Sequence, residues 1–225
     1  HFPNLVAMFF ARAAQHKDAP FLFWKEGDAW QSLSWTETAT RVAAMAEALR
    51  SLGLKRCDRV LLVSENRPEW AIADLAIMAA GCITVPAYTS NTIGDHAHVL
   101  NDSGARAAIV STASLAKNLL PALARSSQCE MVIVIEPLQR ERIGAVRIHQ
   151  WDKLVADRPG DVAAAIAQAD FTREDVACII YTSGTGGSPR GVRQHHGAIL
   201  HNCAGAGDVI PVSYTHLRAH ETEAD

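Results

Sequence analysis

No two cysteines of this 225-residue chain form a Cys-x-x-Cys pair, and their number, five, is odd. Cys57, Cys82, Cys129, Cys178 and Cys203 lie far apart, four of them in apolar or small-residue surroundings. This argues against a disulfide framework and predicts reduced, buried thiols in a cytoplasmic protein. No apolar run is long enough to span a bilayer. No charge of one sign dominates: 21 Lys and Arg stand against 24 Asp and Glu, interspersed, for a formal net charge of −3. The absence of a basic stripe argues against a nucleic-acid partner. Neither a signal peptide, an internal repeat nor a low-complexity linker is visible, and the chain begins at His1 instead of Met, which leaves its start open. The ten histidines are more than usual. His96 and His98 would share a face if extended, and His195, His196 and His201 cluster. A metal site would need a fuller ligand set at matching spacing.

What is present is a large apolar fraction, 48%, so a sizeable core is available, and the length is enough for one large domain or two small ones. Asn4 to Gln15 has apolar residues at helical spacing. Phe21–Trp24 and Trp30–Leu33, around Gly27-Asp28, predict a hairpin. Ser34-Trp35-Thr36-Glu37 is a capping-box pattern, and the helix it opens runs through Val42 and Leu49 to Gly53. The rhythm then alternates. Strands are predicted at 60–63, 82–85, 107–110, 131–135 and 176–180. Helices are predicted at 68–80, 95–100, 115–125 and 161–169, with a further amphipathic helix over 202–210. Continuous apolar strands between helices predict an α/β fold with a largely parallel sheet flanked by helices.

Directly after the last strand comes Tyr181-Thr-Ser-Gly-Thr-Gly-Gly-Ser-Pro-Arg-Gly-Val192, with four glycines in twelve residues. Gly184, Gly186, Gly187 and Gly191 permit backbone angles that other residues avoid. Successive N–H groups in such a loop can turn inward around phosphate oxygens. Thr182, Ser183, Thr185 and Ser188 add hydroxyls, and Arg190 adds a planar fork of charged donors. Loops of this composition that bind nothing also follow strands, and composition alone does not separate the two. The spacing does exclude a Walker A loop, since Val192-Arg193 stand where Lys-Ser/Thr is needed. It also fails as a dinucleotide fingerprint, which Gly184-Thr185-Gly186 begins and Pro189 breaks.

The stretch resembles the phosphate-loop signature of the adenylate-forming superfamily, Tyr-Thr-Ser-Gly-Thr-Thr-Gly-x-Pro-Lys-Gly-Val, at ten of twelve positions. Gly186 replaces Thr and Arg190 replaces Lys. Leu75 to Thr92 resembles the superfamily's upstream segment, and Val99 to Val110 its counterpart in long-chain acyl-CoA synthetases. The resemblance implies that the chain is the first part of the large N-terminal domain of that fold. It implies that Thr182, Ser183, Gly184, Thr185, Gly186, Gly187, Ser188, Arg190 and Gly191 bind the phosphates of ATP, with magnesium bridging phosphate oxygens. His196 falls where the family often has a His opening the next helix. Its ring is expected either to face the acyl or nucleotide pocket or to be solvated.

The implied reaction joins a fatty acid to ATP, releases pyrophosphate and passes the acyl group to coenzyme A. No side chain of this chain need act as nucleophile. Two alternatives stand beside it: an adenylating enzyme with a carrier-protein acceptor, and a catalytically inactive nucleotide-binding module. Residues 1–210 are expected to be a partial AMP-binding domain. Residues 211–225 lose the apolar period and are expected to be a non-native or disordered tail. The family's aromatic adenine motif, magnesium-binding acid, ribose-binding aspartate and mobile C-terminal domain with its catalytic lysine are expected beyond this chain. The parent is expected in the cytoplasm, with peripheral association with a membrane left open.

Overall fold

A computed structural model describes residues 1–182 and 188–209 of the chain, with side chains to residue 206. Helix α1 (Leu5–His16) is capped by Asn4, whose side chain accepts from the Ala7 amide. A separate antiparallel hairpin follows, β1 (Pro20–Glu26) and β2 (Ala29–Ser34). Helix α2 (Trp35–Ser51) opens with the predicted capping box: Ser34 accepts from the Glu37 amide, and Glu37 accepts from the Ser34 amide. The alternating region gives β3 (Arg59–Val63), α3 (Pro68–Ala79), β4 (Ile83–Ala87), α4 (Ile93–Ser103), β5 (Ala107–Val110), α5 (Ala113–Leu123) and β6 (Met131–Val134). After it come β7 (Arg142–Ile143), β8 (Val146–Gln150), α6 (Trp151–Val155), α7 (Val162–Gln168), β9 (Val176–Thr182), β10 (Arg190–His195) and α8 (His196–Val209).

The main sheet has eight strands in the order β10-β9-β4-β3-β5-β6-β8-β7. Its six inner strands run parallel, and the two edge strands pair antiparallel with their neighbours. Side chains alternate between the faces of each strand, and both faces are buried. Val60, Leu62, Ala107, Ile109, Met131 and Ile133 pack into one core with α1, α2 and α3. Leu61, Val63, Ala108, Val110, Val132 and Val134 pack into the other with α4 and α5. This two-sided burial is why the strands read as continuous apolar runs.

Several elements differ from expectation. The helix expected at 95–100 runs from Ile93 to Ser103, so Asp102 and Ser103 belong to its last turn. The strand expected at 82–85 runs on through Pro86 to Ala87. Pro86 has no N–H to give to a ladder, and β4 meets β9 earlier, at the Thr84–Cys178 pair. Strands β7, β8 and β10 and helix α6 were not anticipated. The segment expected from Asn202 as an amphipathic helix is the later part of α8, and residues 201–206 are exposed, so no apolar face is buried among them. The cysteines are free, as expected, but Cys57 and Cys203 are exposed, contrary to the expectation of burial. Cys57 sits in a left-handed turn with φ of 67° that turns its backbone N–H onto the Gly81 carbonyl.

Candidate functional site

Parallel β-strands deliver their carboxyl ends to one edge of the sheet, where ligands of α/β proteins bind. Strand β9 ends there at Thr182, and the chain returns as β10 from Arg190. The segment between them carries most of the glycine-rich motif. Ser183, Gly184, Thr185, Gly186 and Gly187 lie outside the described residues. Thr182, Ser188, Arg190 and Gly191 lie within them, and all four are exposed.

The pairing of the two arms sorts these residues by face. Arg190 lies opposite Thr182, Gly191 opposite Tyr181 and Val192 opposite Ile180. Directly opposed residues of an antiparallel pair share a face. The Thr182 hydroxyl and the Arg190 guanidinium therefore stand together on one side of the arms. Tyr181 and Gly191 occupy the other side, toward α4.

On that second side the arms are held. The Tyr181 hydroxyl donates to Asp102 Oδ2 at 2.6 Å. Burial, then the Asp102 carboxylate, pushes the tyrosine's pKa well above its usual value, so the phenol stays protonated. His98 Nε2 lies 2.8 Å from the carbonyl oxygen of Pro189. A carbonyl only accepts, so this nitrogen carries the proton. The His98 ring meets the Tyr181 ring edge-on, with centroids 6.1 Å apart. Gly191 is needed for this packing: a Cβ there would lie 2.8 Å from Ile179 Cγ2 and 3.1 Å from Tyr181 Cζ.

Sequence reading did not single out His98, Asp102 or Tyr181 for this arrangement. The bonds join residues 91 and 79 positions apart. That 98 and 102 fall on one face of a helix emerges only because α4 runs on to Ser103, beyond the helix expected at 95–100. His96, in turn, does not share a face with His98, because α4 is a helix and not a strand; it is buried at 1% exposure. Among the described residues, no three His, Cys, Asp or Glu side chains gather as a metal-binding group.

His196 opens α8, as expected, but its ring is not solvated; it is 3% exposed. The ring stacks on Phe171 with centroids 4.9 Å apart, and its Nδ1 accepts from the Leu5 amide at 3.3 Å. Burial pushes its pKa down to about 4. The imidazole is thus a neutral pin between α1, the residues before β9 and the start of α8. It also borders a cavity of about 180 Å³ shared with Arg56, Cys82 and Asp175.

No described helix is long and apolar enough to cross a membrane. Comparison with known proteins gives a consistent set of relatives. The chain is 32% identical over 206 residues to the long-chain-fatty-acid–CoA ligase FadD15 of Mycobacterium tuberculosis, covering 90% of this chain and 33% of the relative. It is 27% identical over 210 residues to the L-proline–[L-prolyl-carrier protein] ligase of Streptomyces coelicolor, covering 93% of this chain and 38% of that protein. The chain thus spans about a third of the length of the curated relatives it matches. Among solved structures, a benzoate CoA ligase from Burkholderia xenovorans LB400 superposes with a TM-score of 0.72 at 25% identity, over 93% of this chain and 37% of that one. The anthranilate CoA ligase AuaEII, in complex with anthranoyl-AMP, shares the fold with a TM-score of 0.74 at 21% identity, over 86% of this chain and 35% of that one. The family profile described as AMP-binding enzyme matches residues 9–221; residues 211–225, expected to be a non-native or disordered tail, lie outside the described residues. With the paired arms of the glycine-rich motif at the carboxyl edge of a mostly parallel sheet and a family match over residues 9–221, the chain belongs to the AMP-binding enzyme family.

Proposed function

We propose that the protein carrying this chain activates a long-chain fatty acid with ATP and transfers the acyl group to coenzyme A. In this reading the segment from Tyr181 to Val192 holds the β- and γ-phosphates of ATP, which brings its magnesium with it. Thr182, Ser188 and Arg190 supply side-chain donors, and residues 183–187 supply backbone N–H groups and hydroxyls. The observation that carries the reading is the placement of Thr182 and Arg190 on one exposed face of the two arms, at the carboxyl end of β9.

The chemistry follows from the leaving group. A carboxylate is a poor acyl donor, because oxide leaves badly. Attack of a carboxylate oxygen on the α-phosphorus forms the acyl-adenylate and breaks the bond to pyrophosphate. Charge grows on the departing pyrophosphate, and the Arg190 guanidinium offsets it. Holding the β- and γ-phosphates also keeps the leaving group in line with the attacking oxygen. The coenzyme A thiolate then attacks the acyl carbon and AMP leaves. His196, stacked and neutral, serves this scheme by fixing the start of α8 and not by proton transfer.

The fatty-acid preference rests on the similarity to the mycobacterial ligase, and peripheral membrane association of the whole protein belongs to the same proposal. A second reading, a carrier-protein thiol as acceptor, is favoured by the similarity to the proline-carrier ligase. Incubation of the complete reading frame with ATP, palmitate and coenzyme A, followed by chromatography, separates them. Acyl-CoA with AMP is the expected product. Acyl-adenylate without thioester would favour the carrier. ADP as the nucleotide product would end both readings.

A further inference from the structure

Helix α4 touches the phosphate-loop motif twice, once on each arm. Asp102 takes the Tyr181 hydroxyl at 2.6 Å, just before Thr182. His98 donates to the Pro189 carbonyl at 2.8 Å, just before Arg190. The two residues are one helical turn apart and so present side by side. We infer that α4 is the positioning element of the loop, and that His98 and Asp102 set its affinity for the triphosphate of ATP by fixing the separation and facing of its arms. The inference rests on the proposed function for the ligand, and on the geometry alone for the clamp.

A clamp is only as fixed as its own anchors. At the amino end of α4 a reciprocal capping box joins Thr92 and Asp95. At the carboxyl end, Gly104 takes the left-handed conformation with φ of 62°, and the Arg59 guanidinium donates to the Ser103 and Gly104 carbonyls at 2.6 and 2.8 Å. Val99 and Leu100, on the inner side of the helix, are buried in the sheet core. The helix therefore cannot slide to follow the arms; the arms must conform to it. Bonding to the carboxylate makes the Tyr181 contact the stronger of the two. Pro189 itself has no N–H, so its carbonyl is the only backbone group through which it can be tethered.

Neither His98 nor Asp102 needs to touch ATP. Both act through Tyr181 and Pro189 on their chain neighbours Thr182 and Arg190. A displacement of about 1 Å at a positioning group can change rates by two orders of magnitude. A single lost hydrogen bond at each arm predicts a smaller effect, roughly ten-fold.

The test has two parts. In the complete reading frame, with fatty acid and coenzyme A saturating, His98→Ala, Asp102→Ala and Tyr181→Phe should each raise KM for ATP roughly ten-fold. KM for the fatty acid should stay within about two-fold. His98→Gln keeps an N–H donor and Asp102→Asn keeps an acceptor, and both should recover most of the loss. In the 225-residue chain, hydrogen exchange of peptides spanning 188–193 should quicken in the His98→Ala variant while those of β5 and β6 stay protected. Unchanged KM for ATP with unchanged exchange would overturn the clamp. A lowered melting temperature with unchanged KM would make α4 a purely structural support and would also overturn it. If the wild-type protein consumes no ATP with any acid, the proposed function falls. The exchange result then decides the clamp by itself.

Discussion

At the scale of single residues, Arg190 and His196 have opposite surroundings and opposite tests. Arg190 is exposed, opposite Thr182, on the side of the arms that α4 leaves free. If it holds the γ-phosphate, Arg190→Ala lowers kcat/KM for ATP by roughly ten- to a few hundred-fold, the effect of one charge-assisted bond. Arg190→Lys recovers much of this, because a point charge suffices there. Steady-state kinetics with ATP varied check both, and an unchanged kcat/KM would remove Arg190 from the site. His196 is buried, with a pKa near 4 against an ordinary value of 6.5. The folded state holds it neutral while the unfolded state protonates it below pH 6.5. Stability is therefore full above about pH 6.5 and falls as pH drops toward 4, by roughly 3 kcal/mol in total. His96 and His149, also lowered by burial, act in the same direction. Urea titrations at pH 7.5, 6 and 5 should show this loss, and His196→Gln should flatten it.

At the scale of elements, stability comes from two-sided burial and from caps. Leu62 is fully buried on the face of β3 toward α2 and α3. Leu62→Ala should cost about 2–5 kcal/mol by urea unfolding. Ser34→Ala, which breaks the capping box of α2, should cost about 1 kcal/mol. These are the features the sequence displayed well. β3, β5 and β6 were legible because burial on both faces demands unbroken apolar runs. α2 and α3 were legible from a capping box and a first-turn proline. Edge elements were not. β10 reads Arg-Gly-Val-Arg-Gln-His and is almost wholly exposed, since only one side of it is paired and neither face is well covered. β7 has two residues and takes its place from β8. Of the glycine motif, Gly191 shows why residue type is restricted: a Cβ there would lie 2.8 Å from Ile179 Cγ2. The α4 clamp was not, since a histidine and an aspartate on a helix look like any solvated face until the fold brings Pro189 and Tyr181 to them.

At the scale of the whole molecule, the described part of the main sheet is mostly parallel with helices on both sides, and it presents the two arms of the glycine-rich motif at its carboxyl edge. Ile180 and Val192 stay partly exposed beside that motif, at 38% and 43%. They lie on the same face as Thr182 and Arg190, so that side of the arms has apolar neighbours as well as donors. The chain spans about a third of the length of its curated relatives, so the proposed reaction is tested on the complete protein. The central claim is that a carboxylate oxygen attacks the α-phosphorus of ATP. Isotope transfer tests it most directly. The complete protein is given palmitate labelled with oxygen-18 in its carboxylate, together with ATP and coenzyme A, and the nucleotide product is examined by mass spectrometry. The account predicts AMP carrying one oxygen-18 atom from the acid and pyrophosphate carrying none. Label in orthophosphate beside ADP, or unlabelled AMP, would contradict it.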